Sequence, residues 1–273
     1  MRAISSVVDV AVFLLLVSAA AATLTLVPDG EPEPVVVDEQ ADLLASSTAD
    51  VEYTLEGADR EAHGTVAGLL ARAVVANASI DGRELSGGHG RFVDEVEAAT
   101  RRTLGPVNRT QVLVSWVPYR GAPVRGTVRV GADPPGGRDV TVATLSVPAP
   151  TPPRQERAAA RVREAGFSGV ASVAARATVG VLLPESRATL HSARHSPAAT
   201  VASRRFRALA SATDATVEGP LSRGNVSAAN ARIVDGLATR FEADMRERFD
   251  TPEAAADAVR VGTVRLTLRR WEP

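Results

Sequence analysis

Two histidines four residues apart, His191 and His195, are the first residues whose spacing could hold a metal ion. On a helix they would share one face, but zinc sites of this kind need a third ligand and usually a glutamate between the histidines. The intervening residues are Ser192, Ala193 and Arg194, and the arginine disfavours a bound cation. We therefore predict no metal site at this pair.

The amino-acid composition excludes several kinds of reaction chemistry. All 31 basic residues are arginine, which excludes a lysine Schiff base, a lysine general base and the lysine of a phosphate-binding loop. Cysteine is absent, which excludes disulfides and thiolate chemistry. The net charge of -1 produces no overall electrostatic field that would attract nucleic acid. The sequence therefore predicts a non-enzymatic protein with no catalytic residue, no cofactor, no nucleic-acid partner and no small-molecule substrate.

Aromatic, arginine and proline residues gather in the segment WVPYRGAP, residues 116–123. Aromatic and arginine side chains are enriched at binding hot spots, so Trp116, Tyr119 and Arg120 are the candidate binding residues. The alternative is that Trp116 lies in the core and Tyr119 packs on the turn.

Three glycosylation sequons, each at the boundary of a predicted element, begin at Asn77, Asn108 and Asn225. Together they favour a location outside the cytoplasm.

Residues 10–27 form an uncharged, mostly apolar run of 18 residues. As a helix this run is about 27 Å long, which is just enough to span a hydrocarbon core. Arg2 precedes the run and Asp29, Glu31 and Glu33 follow it, so the N-terminus is expected inside the cell and the rest outside. The run is either an anchor kept in the mature protein, a signal peptide cleaved among the small residues 18–22, or a buried helix.

Asp9 lies near the start of this apolar run, where pilin-like proteins carry an acidic residue. A carboxylate inside lipid is costly unless it is paired, and the N-terminal amine of a neighbouring subunit would pair with it. This predicts a role for Asp9 in assembly as well as in anchoring. The alternative is that Asp9 lies at the membrane interface and is solvated.

The remaining sequence predicts an α+β fold with three parts. Residues 1–27 are the transmembrane or signal segment, residues 28–40 a stalk of proline and acidic residues, and residues 41–273 an extracytoplasmic α+β domain. The proline-rich segment 148–154 is a further candidate boundary.

Alternation of apolar and polar residues predicts an antiparallel sheet of about five strands: 51–55, 110–118, 124–131, 139–147 and 261–271. Three of these, from 110 to 147, look like a meander. Apolar residues at helical spacing predict several helices, some of them long. They cover residues 59–78, 90–104, 165–183, 198–212 and 225–249, and a short helix begins at Pro252.

Three segments carry a family resemblance: residues 2–18 (RAISSVVDVAVFLLLVS), 63–70 (HGTVAGLL) and 116–126 (WVPYRGAPVRG). Together they resemble an uncharacterised family of haloarchaeal membrane-anchored proteins. The resemblance implies an association with Tad-like type IV pilus or secretion components, and it supplies no catalytic residue.

From the sequence we therefore expect a single-pass membrane protein with an extracellular domain. It would be a pilin-like or accessory component of an archaeal type IV pilus-like assembly, with membrane lipid and other subunits as partners. The alternatives are a surface ligand- or protein-binding module, a protein secreted after signal cleavage, and a secreted enzyme.

Overall fold

The computed structural model describes residues 37–55, 57–85, 90–150, 156–183 and 197–272, and within them the chain is α+β, as the sequence predicts. Residues Val37–Pro273 form one compact unit, distinct from Met1–Val36. The described helices are α1 (Val37–Ser46), α2 (Val66–Ala76), α3 (Gly90–Leu104), α4 (Glu156–Leu182), α5 (Pro197–Ala212), α6 (Glu218–Ser222), α7 (Val226–Arg248) and α8 (Pro252–Ala258). The strands are β1 (Thr48–Leu55), β2 (Ala58–Thr65), β3 (Ala78–Ile80), β4 (Arg83–Glu84), β5 (Thr110–Trp116), β6 (Val124–Val130), β7 (Val140–Pro148) and β8 (Thr263–Trp271).

Six antiparallel strands form the main sheet, in the order β4-β3-β6-β5-β8-β7. The C-terminal strand β8 lies between β5 and β7, with Leu266 opposite both Val114 and Leu145. The prediction of a meander from residue 110 to residue 147 is therefore wrong. Val264, Leu266 and Leu268 of β8 are fully buried on one face, and β7 pairs with β8 along its whole length.

A separate two-stranded hairpin joins β1 to β2. The predicted helix 59–78 is wrong in its first half, because residues 58–65 pair with β1 and helix α2 begins only at Val66. Thr65 is the N-cap of α2, and its hydroxyl accepts a hydrogen bond from the Gly68 amide at 3.1 Å. Pairing with a neighbouring strand has overridden the high helix propensity of Ala, Glu and Arg in this segment.

Helix α1 occupies residues that the sequence assigned to the stalk. The predicted stalk, residues 28–40, includes Val37 and Gln40, but both are buried and belong to α1. The folded unit therefore begins at Val37, and only residues 28–36 separate it from the apolar run.

Helices α1 and α2 cover the inner face of the main sheet, where Val112, Val114 and Val128 are buried. Helix α2 approaches strand β6 so closely that a Cβ atom on Gly126 would overlap the carbonyl oxygen of Val74. A glycine is needed there because no larger side chain leaves room for the helix. The two helices also contact β2, and β1 packs against α3.

The long helix α4 is broken at Gly166, whose backbone leaves the helical region with φ of 55° and ψ of -138°. The segment Ala165–Leu182 is long and apolar enough to cross a membrane, but half of it is buried inside the structure. It packs against α7 and α8 and buries Val170, Ala174 and Val179. These contacts are those of a core helix.

Candidate functional site

Trp116 ends strand β5 with a fully buried side chain. Its indole N–H donates a hydrogen bond of 2.8 Å to the carbonyl oxygen of Val261, in the connection that leads into β8. A buried tryptophan needs such a partner for its N–H, and here the bond fixes the end of β5 to the C-terminal strand.

Tyr119 is equally buried, at the turn that follows β5. Its ring makes edge contacts with Phe241 and Phe249, at centroid distances of 5.1 and 6.3 Å. Its hydroxyl donates to Oδ2 of Asp244 at 2.9 Å, and Arg248 donates from Nε to Oδ1 of the same carboxylate at 2.8 Å. The segment is thereby fastened to the C-terminal half of α7.

The electrostatics of this cluster keep Tyr119 protonated. Burial raises the pKa of Tyr119 far above its usual value, and the neighbouring Asp244 carboxylate raises it further. A neutral tyrosine is the form that can donate to Asp244. A hydrogen-bonded group therefore connects the turn to α7. It consists of Tyr119, Asp244 and Arg248.

The burial of Trp116 and Tyr119 corrects the prediction of a binding surface on residues 116–123. Trp116 and Tyr119 are core residues that a partner cannot touch, and only Arg120 of the three candidates is exposed. The alternative interpretation of the aromatic residues is the right one, because α7 and the connection before β8 cover them.

The three sequon asparagines differ in their surroundings, although all three are exposed. Asn77 ends α2, and its side-chain nitrogen donates to the carbonyl oxygen of Thr127 at 2.8 Å. Asn225 is the N-cap of α7, and its side-chain oxygen accepts from the Ala228 amide at 3.0 Å. Asn108 lies in the turn before β5. Only at Asn77 is the nitrogen that would carry a glycan already bonded to the main chain.

The residues considered for metal binding do not converge in the described part of the chain, which contains no group of three or more possible ligands. His63 forms an exposed pair with Asp50, with 2.6 Å between Nδ1 and Oδ1. His191, His195 and the anchor residue Asp9 lie outside the described residues.

The outer face of the main sheet is open and carries arginines. Strands β5 to β8 contain no aspartate or glutamate. Val142 of the edge strand β7 is 53% exposed, and Thr144 and Ser146 on the same strand and Thr127 on β6 are exposed as well. We call this surface the arginine face; its charged residues are Arg125 and Arg129 on β6, and Arg265 and Arg269 on β8.

The four arginines alternate along the arginine face. Strand pairing through β5 aligns Arg265 with Thr127, and Thr267 with Arg129. A charge therefore recurs about every 7 Å along the strand direction, alternating between β6 and β8, which lie about 10 Å apart. Arg129 forms an ion pair of 3.0 Å with Asp133 at the edge of the sheet.

The outward face of the β1–β2 hairpin has the opposite charge. The register of the hairpin places Asp50 opposite His63, Glu52 opposite Glu61, and Thr54 opposite Asp59. We call this the acidic face; its carboxylates are Asp50, Glu52, Asp59 and Glu61, all exposed. Two glutamates directly opposite each other repel, so the hairpin keeps this pair at a cost to its own stability.

A charge imbalance along the sequence could have indicated both faces. Residues 28–59 contain ten aspartates or glutamates and no arginine, whereas residues 60–273 contain 30 arginines and 21 acidic residues. The near-neutral total conceals this division. The alternation in residues 261–271 predicts a strand with one polar side, but local alternation does not show that its arginines align with those of β6.

The fold and these surfaces define an α+β protein with two sheets whose outward faces carry opposite charge. The chain belongs to the DUF7284 family, a family of unknown function, which it matches over residues 8–271. No curated protein and no solved structure matches the chain.

Proposed function

We propose that the chain is a non-enzymatic, membrane-anchored surface protein whose α+β unit assembles with other protein subunits. In this proposal it is a pilin-like or accessory component of an archaeal type IV pilus-like system. The α+β unit is extracellular and the apolar run is the single membrane span.

The observation that carries the proposal is the short distance in sequence between the apolar run and the folded unit. The run ends at Val27 and α1 begins at Val37, so nine residues connect them. Nine residues reach at most about 32 Å when fully extended. Pro28, Pro32 and Pro34 lie in this connection, a composition typical of a semi-rigid spacer.

The role in assembly rests on the chemistry of Asp9. A carboxylate near the start of a membrane-spanning helix favours a helix that meets another subunit, because pairing offsets its cost in lipid. The two oppositely charged faces of the folded unit are a second feature suited to contacts between subunits.

The alternative function is a surface binding module, and it has less support with the binding residues that the sequence indicated. Its binding residues were Trp116, Tyr119 and Arg120, and the burial of the two aromatic side chains leaves Arg120 alone. A binding module would have to use another surface of the unit.

Two measurements on the full chain test the anchor. We expect the protein to stay with membranes after an alkaline wash, and we expect mass spectrometry to find residues 10–27 in the mature protein. Cleavage among residues 18–22 with release of the protein would contradict the proposal. Cleavage close to Ile4 would favour the pilin class within it.

The variant Asp9→Ala tests the assembly role. We expect it to stay in the membrane but to lose co-purification with its partner subunits, because the paired carboxylate is gone. Asp29→Ala is the matched control, since it removes an acidic residue beyond the apolar run. Equal assembly of the two variants would count against the pilin-like role.

A further inference from the structure

The arginine face and the acidic face belong to different sheets of the same folded unit. Helices α1 and α2 contact β7 and β8, and the hairpin contacts α1, α2 and α3. The other face of each sheet carries the buried side chains, such as Val51, Ala62 and Val114. Within the described residues no ion pair joins the two charged faces.

The charges on the arginine face lack compensation within the described residues. Of its four arginines only Arg129 has a carboxylate partner, Asp133. Arg269 donates to the amide oxygen of Gln111 at 3.4 Å, and the amide nitrogen of Gln111 donates to Oδ1 of Asp133 at 2.7 Å. The described strands of the main sheet place one acidic residue on the arginine face. It is Glu84, on the edge strand β4.

The acidic face lacks compensation in the same way. Among the described residues of the hairpin, His63 is the only basic side chain on this face, and it pairs with Asp50. The facing glutamates Glu52 and Glu61 have no arginine between them, because Arg60 points to the other side of the hairpin with Tyr53. A cationic surface placed over this face would remove the repulsion between the two glutamates.

The two faces have opposite charge and share a repeat along the strand direction. The carboxylates of each hairpin strand recur about every 7 Å, as do the arginines when those of β6 and β8 are taken together. Both are β surfaces, and sheets pack face to face about 10 Å apart. Arginine forms two parallel hydrogen bonds with a carboxylate, which makes such a contact specific in orientation.

We infer that the acidic face of the β1–β2 hairpin docks on the arginine face of a second copy of this chain. The contact is head to tail, because the two surfaces differ. It leaves one acidic face and one arginine face free at the ends, so further copies can add and the assembly can grow as a filament or close as a ring. This inference rests on the proposed function as an assembly subunit and names the partner.

The absence of cysteine from the chain allows a direct test by crosslinking. Thr127→Cys lies on the arginine face between Arg125 and Arg129, and Thr54→Cys lies on the acidic face next to Glu52. The two full-length variants are co-expressed with different tags and treated in membranes with a thiol crosslinker. We expect a dimer that carries both tags and no dimer of either variant with itself. Ser222→Cys, an exposed position on α6, is the control and should not crosslink to Thr54→Cys.

Charge reversal tests whether the charges hold the contact. Arg125→Glu with Arg265→Glu, added to Thr127→Cys, should lower the mixed dimer about tenfold, because like charges then face each other. Glu52→Arg with Glu61→Arg, added to Thr54→Cys, should do the same. Combining the two reversed partners should restore the dimer, which also shows that both variants fold. Arg223→Glu, an exposed arginine beyond the arginine face, should have no effect.

The outcomes separate this inference from the proposed function. A folded, membrane-bound protein that gives no mixed dimer overturns the head-to-tail contact and leaves the anchor intact. Dimers of Thr127→Cys with itself, or a mixed dimer unaffected by charge reversal, also overturn it. A charge-dependent mixed dimer formed by a protein released from the membrane supports the contact and overturns the anchor.

Discussion

The hydroxyl of Tyr119 and the carboxylate of Asp244 are joined by a hydrogen bond of 2.9 Å between residues 125 positions apart in the sequence. This bond, with the Phe241 and Phe249 rings around it, connects the turn after β5 to helix α7. It explains why an aromatic segment that resembles a binding surface is part of the core.

Replacing Tyr119 with phenylalanine tests this connection. We expect Tyr119→Phe to lower the free energy of unfolding by about 1.5–3 kcal/mol, because the buried bond to a charged carboxylate is lost while the ring contacts remain. Tyr53→Phe is the matched control; the Tyr53 ring packs against Phe92 and no hydrogen bond of its hydroxyl is found in the described residues. Chemical denaturation of both variants is the measurement, and equal losses would contradict the assigned role.

Replacing Gly126 with alanine tests the close approach of helix α2 to strand β6. The added methyl group would overlap the carbonyl oxygen of Val74, so helix and sheet must separate. We expect Gly126→Ala to lower the free energy of unfolding by about 1–3 kcal/mol. Gly136→Ala should be close to neutral, since a Cβ atom there meets nothing within 4 Å. Thermal unfolding followed by circular dichroism compares the two, and a neutral Gly126→Ala would refute the close packing.

The sequons give a prediction about modification of the folded protein. The side-chain nitrogen of Asn77 is held by the carbonyl oxygen of Thr127, so Asn77 is expected to remain unmodified where Asn108 or Asn225 carries a glycan. Mass spectrometry of glycopeptides from the native source checks this. A glycan on Asn77, with or without glycans on the other two asparagines, would show that this hydrogen bond does not protect the site.

Glu97 on helix α3 gives a prediction about pH. Desolvation by burial raises the pKa of Glu97 above its usual 4.5, while the positive charge of Arg101 opposes the rise. The folded state thus binds this proton more tightly than the unfolded state. Its contribution to stability is greatest below the unfolded pKa and decreases as pH rises through the folded pKa.

Glu97→Gln should therefore lose less stability than the wild type between about pH 4 and about pH 7. The difference should stay below about 1 kcal/mol, because the carboxylate is partly exposed and paired with Arg101. Glu95→Gln, an exposed carboxylate on the same helix, serves as the control. Identical pH dependence of unfolding in wild type and Glu97→Gln would disprove the effect of burial.

The sequence by itself determined the features that depend on residues close to one another along the chain. The apolar spacing of α3 predicted its bounds at residues 90 and 104, and the side chains of Thr251 and Pro252 predicted the start of α8. The alternation of β5, β6 and β8 predicted strands at these places. In each case the pattern and the capping residues lie within one element, so they act before any tertiary contact forms.

Only the tertiary structure decided which elements meet. It placed β8 between β5 and β7, paired residues 58–65 with β1, and covered Trp116 and Tyr119 with segments more than 100 residues away. It also brought the arginines of β6 and β8 onto one face. These outcomes depend on long-range pairing and on the burial of apolar surface by distant helices, which local sequence patterns do not specify.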